Sequence, residues 1–223
     1  MTETNPGNDK TGLPAHEAAE RRDWVAYFDR MEGKPPRATL MHALERFGAI
    51  EGRDAANAPL AVDLGCGSGR DTEALLEAGW RVWARDGHAD GIRRAWERPL
   101  CKAAIEGGTL DLGVEDFARM NPPPAMLINA SFSLPFCPPA DFPELWERID
   151  AAIQPGGRFC GQLFGDRDGW AVLEDRTHLT RLETLTLFDQ YILERFEEED
   201  RPSTQTASPH KHWHVFHVVA RKP

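Results

Sequence analysis

Residues 61–72, AVDLGCGSGRDT, change character in mid-course. The run LAVDL, from Leu60, reads as a short buried strand. Gly65, Gly67 and Gly69 then alternate, and RDTEALLEA follows as a helix, with acids in its first turn and Gly79 just past its end. A glycine turn between strand and helix lets the backbone come close to a ligand, most often a nucleotide. The dinucleotide fingerprint G-x-G-x-x-G fits only its first two positions here, because the third falls on Arg70. Asp63, two residues before the first glycine, sets a carboxylate where a pyrophosphate would be repelled and a cation accommodated.

Outward from this turn, strands and helices alternate. RVWARD (81–86) is a second strand and ADGIRRAWER (89–98) a second helix. TLDLGV (109–114) and AMLINA (125–130) are the third and fourth strands. Residues 141–153 form a helix with Phe142, Leu145, Trp146 and Ile149 on one face, and GGRFCGQLF (156–164) is the fifth strand. TRLETLTLF is helical, but YILERFEEED and HWHVFHVVAR then follow as two strands with no helix between them. Alternation implies a mainly parallel sheet with right-handed crossovers, and the terminal pair implies an antiparallel hairpin at one edge. Upstream, Trp24, Tyr27, Phe28 and Met31 recur at helical spacing, and ATLMHALERF makes a second helix. The expected organisation is a disordered leader (1–22), a helical cap (23–57) and an α/β domain (58–223).

Composition narrows the function classes. The chain has 223 residues, the size of one α/β domain with a cap. Its formal charge of −10 disfavours nucleic acid, which is normally met by a basic surface. Cys66, Cys101, Cys137 and Cys160 are scattered, without a Cys-x-x-Cys pair, so a reducing compartment is expected rather than a disulfide framework or zinc knuckle. No apolar run approaches the ~20 residues that cross a bilayer, and the N-terminal residues lack the apolar segment of a signal peptide. The expectation is a cytoplasmic protein without membrane or nucleic-acid partners; the oligomeric state is not legible.

VDLGCGSG resembles the first motif of the class I S-adenosylmethionine-dependent methyltransferases. The resemblance spans about residues 58–221. It implies a Rossmann-like, mostly parallel seven-stranded sheet with an antiparallel C-terminal strand, helices on both faces, and S-adenosylmethionine as cofactor. It places Asp63, Leu64, Gly65, Cys66, Gly67, Gly69 and Asp71 against the cofactor, with Asp63 at its amino-acid end. Asp86, ending the second strand, would accept both ribose hydroxyls, since one carboxylate can accept from two neighbouring donors, and Gly87 beside it would also contact the cofactor. In VEDFARM, an acid (Asp116, or Glu115 one position away) would accept from the adenine amine, and Phe117 would pack on its ring. Asn129, Ala130 and Ser131 would lie beneath the methyl group. The Asn/Asp-Pro-Pro-Tyr/Phe device of enzymes that methylate bases or glutamine is absent, since Asn129-Ala130-Ser131-Phe132 stands there. NASFSLPF and the cap segment YFDRMEGKPP resemble a small-molecule branch that includes tellurite-resistance and thiol methyltransferases. In that branch a cap residue closes over the cofactor, which makes Trp24, Tyr27 and Arg37 candidates.

The implied reaction is in-line methyl transfer to a small acceptor such as a thiol or a chalcogen oxyanion, which needs no general base; an alcohol or amine would need one. Candidates for base or acceptor contact lie late in the chain: Asp168, with Arg167 and Trp170, then His178, His212 and His214. Strand alternation puts His212 and His214 on one face and His217 on the other. Two histidines at that spacing can share a metal, but no third ligand is obvious, so none is expected. Two alternatives stand beside this reading: a non-catalytic cofactor-binding subunit on the same fold, and an NAD-dependent oxidoreductase, disfavoured by the glycine spacing and Asp63.

Overall fold

The computed structural model describes residues 14–48, 57–203 and 211–223. Three helices come first: α1 (Ala15–Glu20), α2 (Trp24–Met31) and α3 (Ala38–Phe47). Then follow β1 (Leu60–Leu64), α4 (Arg70–Glu77), β2 (Arg81–Asp86), α5 (Ala89–Glu97), α6 (Pro99–Glu106), β3 (Leu110–Val114) and β4 (Ala125–Ala130). A single 3-10 turn at Leu134–Phe136 leads to α7 (Phe142–Ala152) and β5 (Ile153–Gly165). The chain closes with β6 (His178–Leu179), α8 (Arg181–Leu187), β7 (Ile192–Pro202) and β8 (His212–Arg221).

The sheet runs β3-β2-β1-β4-β5-β8-β7, with the two-residue β6 pairing off this path in parallel to β5. The neighbours from β3 to β5 are parallel, and β8 is antiparallel to both β5 and β7. This is the Rossmann-like arrangement expected, with seven strands on the main path and β6 added. The last strand is not at the edge: β8 lies inside the sheet and β7 forms the border.

Sequence neighbours on the strands serve opposite faces. Val62, Ile128, Phe159 and Val218 pack under α7, where Trp146 and Phe188 sit edge-on at 5.0 Å. Ala61, Leu127, Cys160 and Val219 pack with Leu40 of α3, Leu75 of α4 and Cys101 of α6. That period of two is the pleat of a sheet covered on both sides. α8 starts with a capping box, the Thr180 hydroxyl accepting from Glu183 N at 3.2 Å while the Glu183 carboxylate accepts from Thr180 N at 2.7 Å.

One expectation needs correction, and one helix stands where none was expected. Residues 1–13 of the expected disordered leader lie outside the described residues, but Ala15–Glu20 are helical, with His16, Ala18 and Ala19 buried. The segment after residue 98 holds a further helix, α6, because Arg98 turns extended (ψ 130°) and Pro99 restarts the helix at its first position, where its missing N–H is not needed. No helix among the described residues is long and apolar enough to cross a membrane.

Candidate functional site

The site is built where the parallel strands end. Gly65 and Gly67 after β1 have φ of 69° and 55°, the left-handed region that favours glycine. A Cβ on Gly65 would run into Ser133, and one on Gly67 would meet the Phe28 ring at 3.1 Å. The turn is therefore flanked by the loop after β4 and by the cap. Between them lies a cavity of about 510 Å³.

A pair of acids occupies its floor. Asp63, 1% exposed, accepts from Thr72 Oγ1 at 2.6 Å and from Asn129 Nδ2 at 2.9 Å. The same Asn129 Nδ2 stands 3.4 Å from Asp71 Oδ2. Asp71 in turn accepts from Arg70 Nε at 2.9 Å and from the backbone N of Arg37 at 3.2 Å. Burial, then the neighbouring charge of Asp71, pushes the Asp63 carboxyl up to about 7. Two buried carboxylates beside one guanidinium leave room for another positive group.

Asp86, at the end of β2, accepts from Gly67 N at 2.8 Å on one oxygen and from His88 N at 2.7 Å on the other. Burial raises its pKa, opposed by these two bonds. A carboxylate offers about four lone-pair sites, so each oxygen can still accept one hydroxyl. Beyond it, Asp116 and Phe117 line the cavity together with Gly87. Glu115 is not among the lining residues; it is 3.5 Å from Arg85 Nε, whose guanidinium lies over Trp83.

The far wall is aromatic. Trp24, Tyr27 and Phe28 come from α2, and Phe132 and Phe136 from the loop after β4. Phe132 has φ 53° and is held there by its N–H donating to Gln162 Oε1 at 3.0 Å. Such backbone costs a bulky residue about 1–3 kcal/mol and tends to mark functional sites. The other non-glycine residue with positive φ among those described, Arg22 (55°), lines the same cavity.

Of the residues singled out from the sequence, the cavity brings together Asp63, Gly65, Cys66, Gly67, Asp71, Asp86, Gly87, Asp116, Phe117, Ser131, Trp24 and Tyr27. Leu64, Ala130 and Asn129 are buried just behind, with Ser131 Oγ donating to Asn129 Oδ1 at 3.0 Å. Gly69 caps α4 at φ 84°, close against Ala95. Arg37 stacks on Phe132 at 4.4 Å without lining the cavity, and its Nε is buried without a partner.

The late-chain candidates are elsewhere. Asp168 is buried in an ion pair with Lys211 and accepts from Trp170 N and His214 N. His178 stacks on Phe164, and His212 contacts Asp200 at 2.6 Å. His214 is fully buried on interior strand β8 and lies within 3.0 Å of Glu198, so the acidic partners not apparent in the sequence come from β7. Glu198, Asp200 and His214 have the spacing of metal ligands, but Arg167 reaches all three, at 2.8, 2.6 and 3.1 Å. Its guanidinium supplies the positive charge there. None of Asp168, His178, His212 or His214 lines the cavity.

Sequence reasoning passed over Arg22, Phe28, Arg70, His88, Phe132 and Phe136, which do line it. Arg70 and Phe132 stood inside the quoted motifs, where apolar or charged side chains beside a glycine turn were the available signal. Phe136 likewise closes the quoted stretch NASFSLPF, whereas Arg22 carries no local signal, since tertiary contact alone brings it in.

Residues 61–157 match a family model described as a methyltransferase domain. No curated protein matches the chain. TehB from Haemophilus influenzae superposes with a TM-score of 0.68 at 15% identity, covering 90% of this chain and 67% of that one. The Burkholderia thailandensis 1,6-didemethyltoxoflavin-N1-methyltransferase, solved with 1,6-didemethyltoxoflavin and S-adenosylhomocysteine bound, gives 0.59 at 21% identity, covering 97% and 93%. An S-adenosylmethionine-dependent methyltransferase from Mesorhizobium loti gives 0.57 at 19% identity, covering 83% and 98%.

Proposed function

We propose that this chain, whose residues 61–157 match a methyltransferase-domain model, is a class I S-adenosylmethionine-dependent enzyme that methylates a small-molecule acceptor held in the cavity beside the glycine turn. The observation that carries this reading is one cavity joining a buried acid pair, a glycine turn and the half-satisfied Asp86 carboxylate. The cofactor supplies a methyl group already activated on a sulfonium. In this reading Asp63, supported by Asp71, takes its ammonium, and Arg70 takes its carboxylate. Asp86 accepts from the ribose hydroxyls, Asp116 accepts from the adenine amine, and Phe117 packs on the ring. Each assignment matches donor to acceptor, and the pyrophosphate that Asp63 would repel is absent from this ligand.

The acceptor then lies against the aromatic wall, where α2 closes the space and excludes water. A cavity of about 510 Å³ suits a small molecule, and the net charge of −10 disfavours nucleic acid. The neighbour bound to 1,6-didemethyltoxoflavin supports an acceptor of this size. Four buried free cysteines support a reducing, cytoplasmic setting. Positioning is the main catalytic contribution: holding nucleophile, methyl carbon and sulfur in line supplies roughly 7–11 kcal/mol.

Thermal unfolding with 1 mM S-adenosylhomocysteine tests the site. Stabilisation by mass action raises Tm by several degrees, whereas NADH at the same concentration leaves it unchanged. An unmoved Tm with S-adenosylhomocysteine overturns the reading. Transfer of labelled methyl to any compound in a panel of thiols, chalcogen oxyanions, phenols and aromatic bases separates an enzyme from a cofactor-binding subunit.

A further inference from the structure

Resting on the methyl-transfer reading, we propose that the acceptor is a flat, uncharged nitrogen heteroaromatic, and that Trp24, Tyr27, Phe132 and Phe136 form the slot that selects it. Strand order places this slot. The adenosine-side acids Asp86 and Asp116 stand at and just beyond the ends of β2 and β3, and Asp63 stands in β1. Phe132 and Phe136 follow β4 and pack towards Phe164 near the end of β5, at 6.4 and 5.9 Å. Trp24 meets Phe136 edge-on at 4.8 Å and Tyr27 at 5.8 Å, so the rings form one continuous wall. Aromatic walls receive flat rings by offset or edge-to-face contact.

The wall is built rather than incidental. Arg22 and Phe132, the two described non-glycine residues in the left-handed region, both border this end of the cavity. Arg22 is fixed by Asp175, at 2.7 Å to the carboxylate, and by the Phe136 carbonyl at 3.2 Å. That bond ties the strained Arg22 to the slot itself.

Charge decides against an anion. Five carboxylates line the cavity (Asp63, Asp71, Asp86, Asp116 and Asp141) against two guanidiniums, Arg22 and Arg70. Both guanidiniums are already ion-paired, Arg22 with Asp175 and Arg70 with Asp71. Asp63, Asp71, Asp86 and Asp116 serve the cofactor in the reading above, so a chalcogen oxyanion or a thiolate would enter an aromatic space whose one other guanidinium, Arg22, is engaged by Asp175. A ring nitrogen enters uncharged and leaves charged. Its lone pair forms the new N–CH₃ bond, the electrons of the broken C–S bond stay on sulfur, and the positive charge passes from sulfur to the ring. No proton moves, so no general base is required. The charge that develops on the acceptor faces aromatic rings, whose faces favour a cation.

The test uses calorimetric titration of the full chain saturated with S-adenosylhomocysteine. Quinoline is the neutral flat probe, 2-naphthoate its anionic counterpart, and tellurite the small oxyanion. Quinoline is expected to bind at least 10-fold more tightly than either anion. Trp24→Leu, on a half-buried position, is expected to weaken quinoline at least 10-fold while leaving S-adenosylhomocysteine affinity within 2-fold. Tighter binding of 2-naphthoate or tellurite overturns the proposal, as does absence of quinoline binding while S-adenosylhomocysteine binds, or unchanged quinoline affinity in the variant. Failure of S-adenosylhomocysteine itself to bind overturns the cofactor reading and this proposal with it.

Discussion

In the proposed reading, Asp63 ties stability to ligand binding through one buried carboxyl. Its carboxyl is pushed up to about 7, first by burial and then by Asp71, against an ordinary value near 4. Because the folded value is the higher, the native state binds this proton more readily than the unfolded chain. The resulting penalty is complete above pH 7 and is relieved as pH falls towards 4. In the proposed reading the cofactor's ammonium needs the ionised form of Asp63, so affinity has the opposite sense. S-adenosylhomocysteine is expected to bind progressively more weakly below pH 7 and to release a proton when it binds there, measurable by titration in buffers of differing ionisation enthalpy. Asp63→Asn keeps the oxygen facing Asn129 and removes the charge. At pH 8 it is expected to raise the Tm of the ligand-free protein by about 2–4 °C, corresponding to roughly 1 kcal/mol, while weakening the ligand at least 10-fold. A variant that loses both stability and affinity would show that Asp63 is structural only. The acid and its neighbouring glycines were legible because they are contiguous in sequence. Asn129, which bridges Asp63 to Asp71, was legible only as a position beneath the methyl group.

At the scale of elements, the segment after β5 holds acids that do not line the cavity. Residues 166–179 leave the sheet and return through β6, and Asp168 pins them to the start of β8 by accepting from Lys211, Trp170 N and His214 N. Lys211 itself lies 3.7 Å from the centre of the Trp170 ring, and its pKa is lowered to about 8, first by burial. Asp168→Ala leaves that ammonium buried without its partner and is expected to cost about 3–5 kcal/mol. S-adenosylhomocysteine affinity of the folded fraction should stay within 2-fold, because Asp168 does not line the cavity. A folded variant of full stability but no transfer activity would return Asp168 to the chemistry. Alternation of residue type gave the faces of β8 correctly, sending His212 and His214 one way and His217 the other. What alternation does not encode is that β8 inserts between β5 and β7, which buries His214 and surrounds it with β7 acids and Arg167.

For the whole molecule, the question is how a cap of two or three helices becomes part of a binding site on a sheet. The parallel core was readable because each strand–helix unit carries its own periodicity and its own glycine stops. The cap's docking was not, since it depends on one side chain meeting residues far away in sequence. Phe28, 4% exposed, is that side chain. Added Cβ atoms on Gly67 and Gly91 would meet its ring at 3.1 and 2.9 Å, so the ring seats against the glycine turn and α5 through the absence of two side chains. Arg94 reinforces the contact, reaching Asp29 at 2.6 Å, though at an exposed position where such a pair contributes little. Phe28→Ala should therefore cost about 3–5 kcal/mol by cavity formation and should also weaken S-adenosylhomocysteine, because the glycine turn loses its lid. If cap and sheet close on the ligand together, hydrogen exchange of α2 and α3 slows on adding S-adenosylhomocysteine to the unaltered chain, and slows far less in Phe28→Ala at equal occupancy. Equal protection in both would mean that α2 is held by the aromatic wall alone, with Trp24 on Phe136 as its anchor, and that the glycine turn binds without the cap.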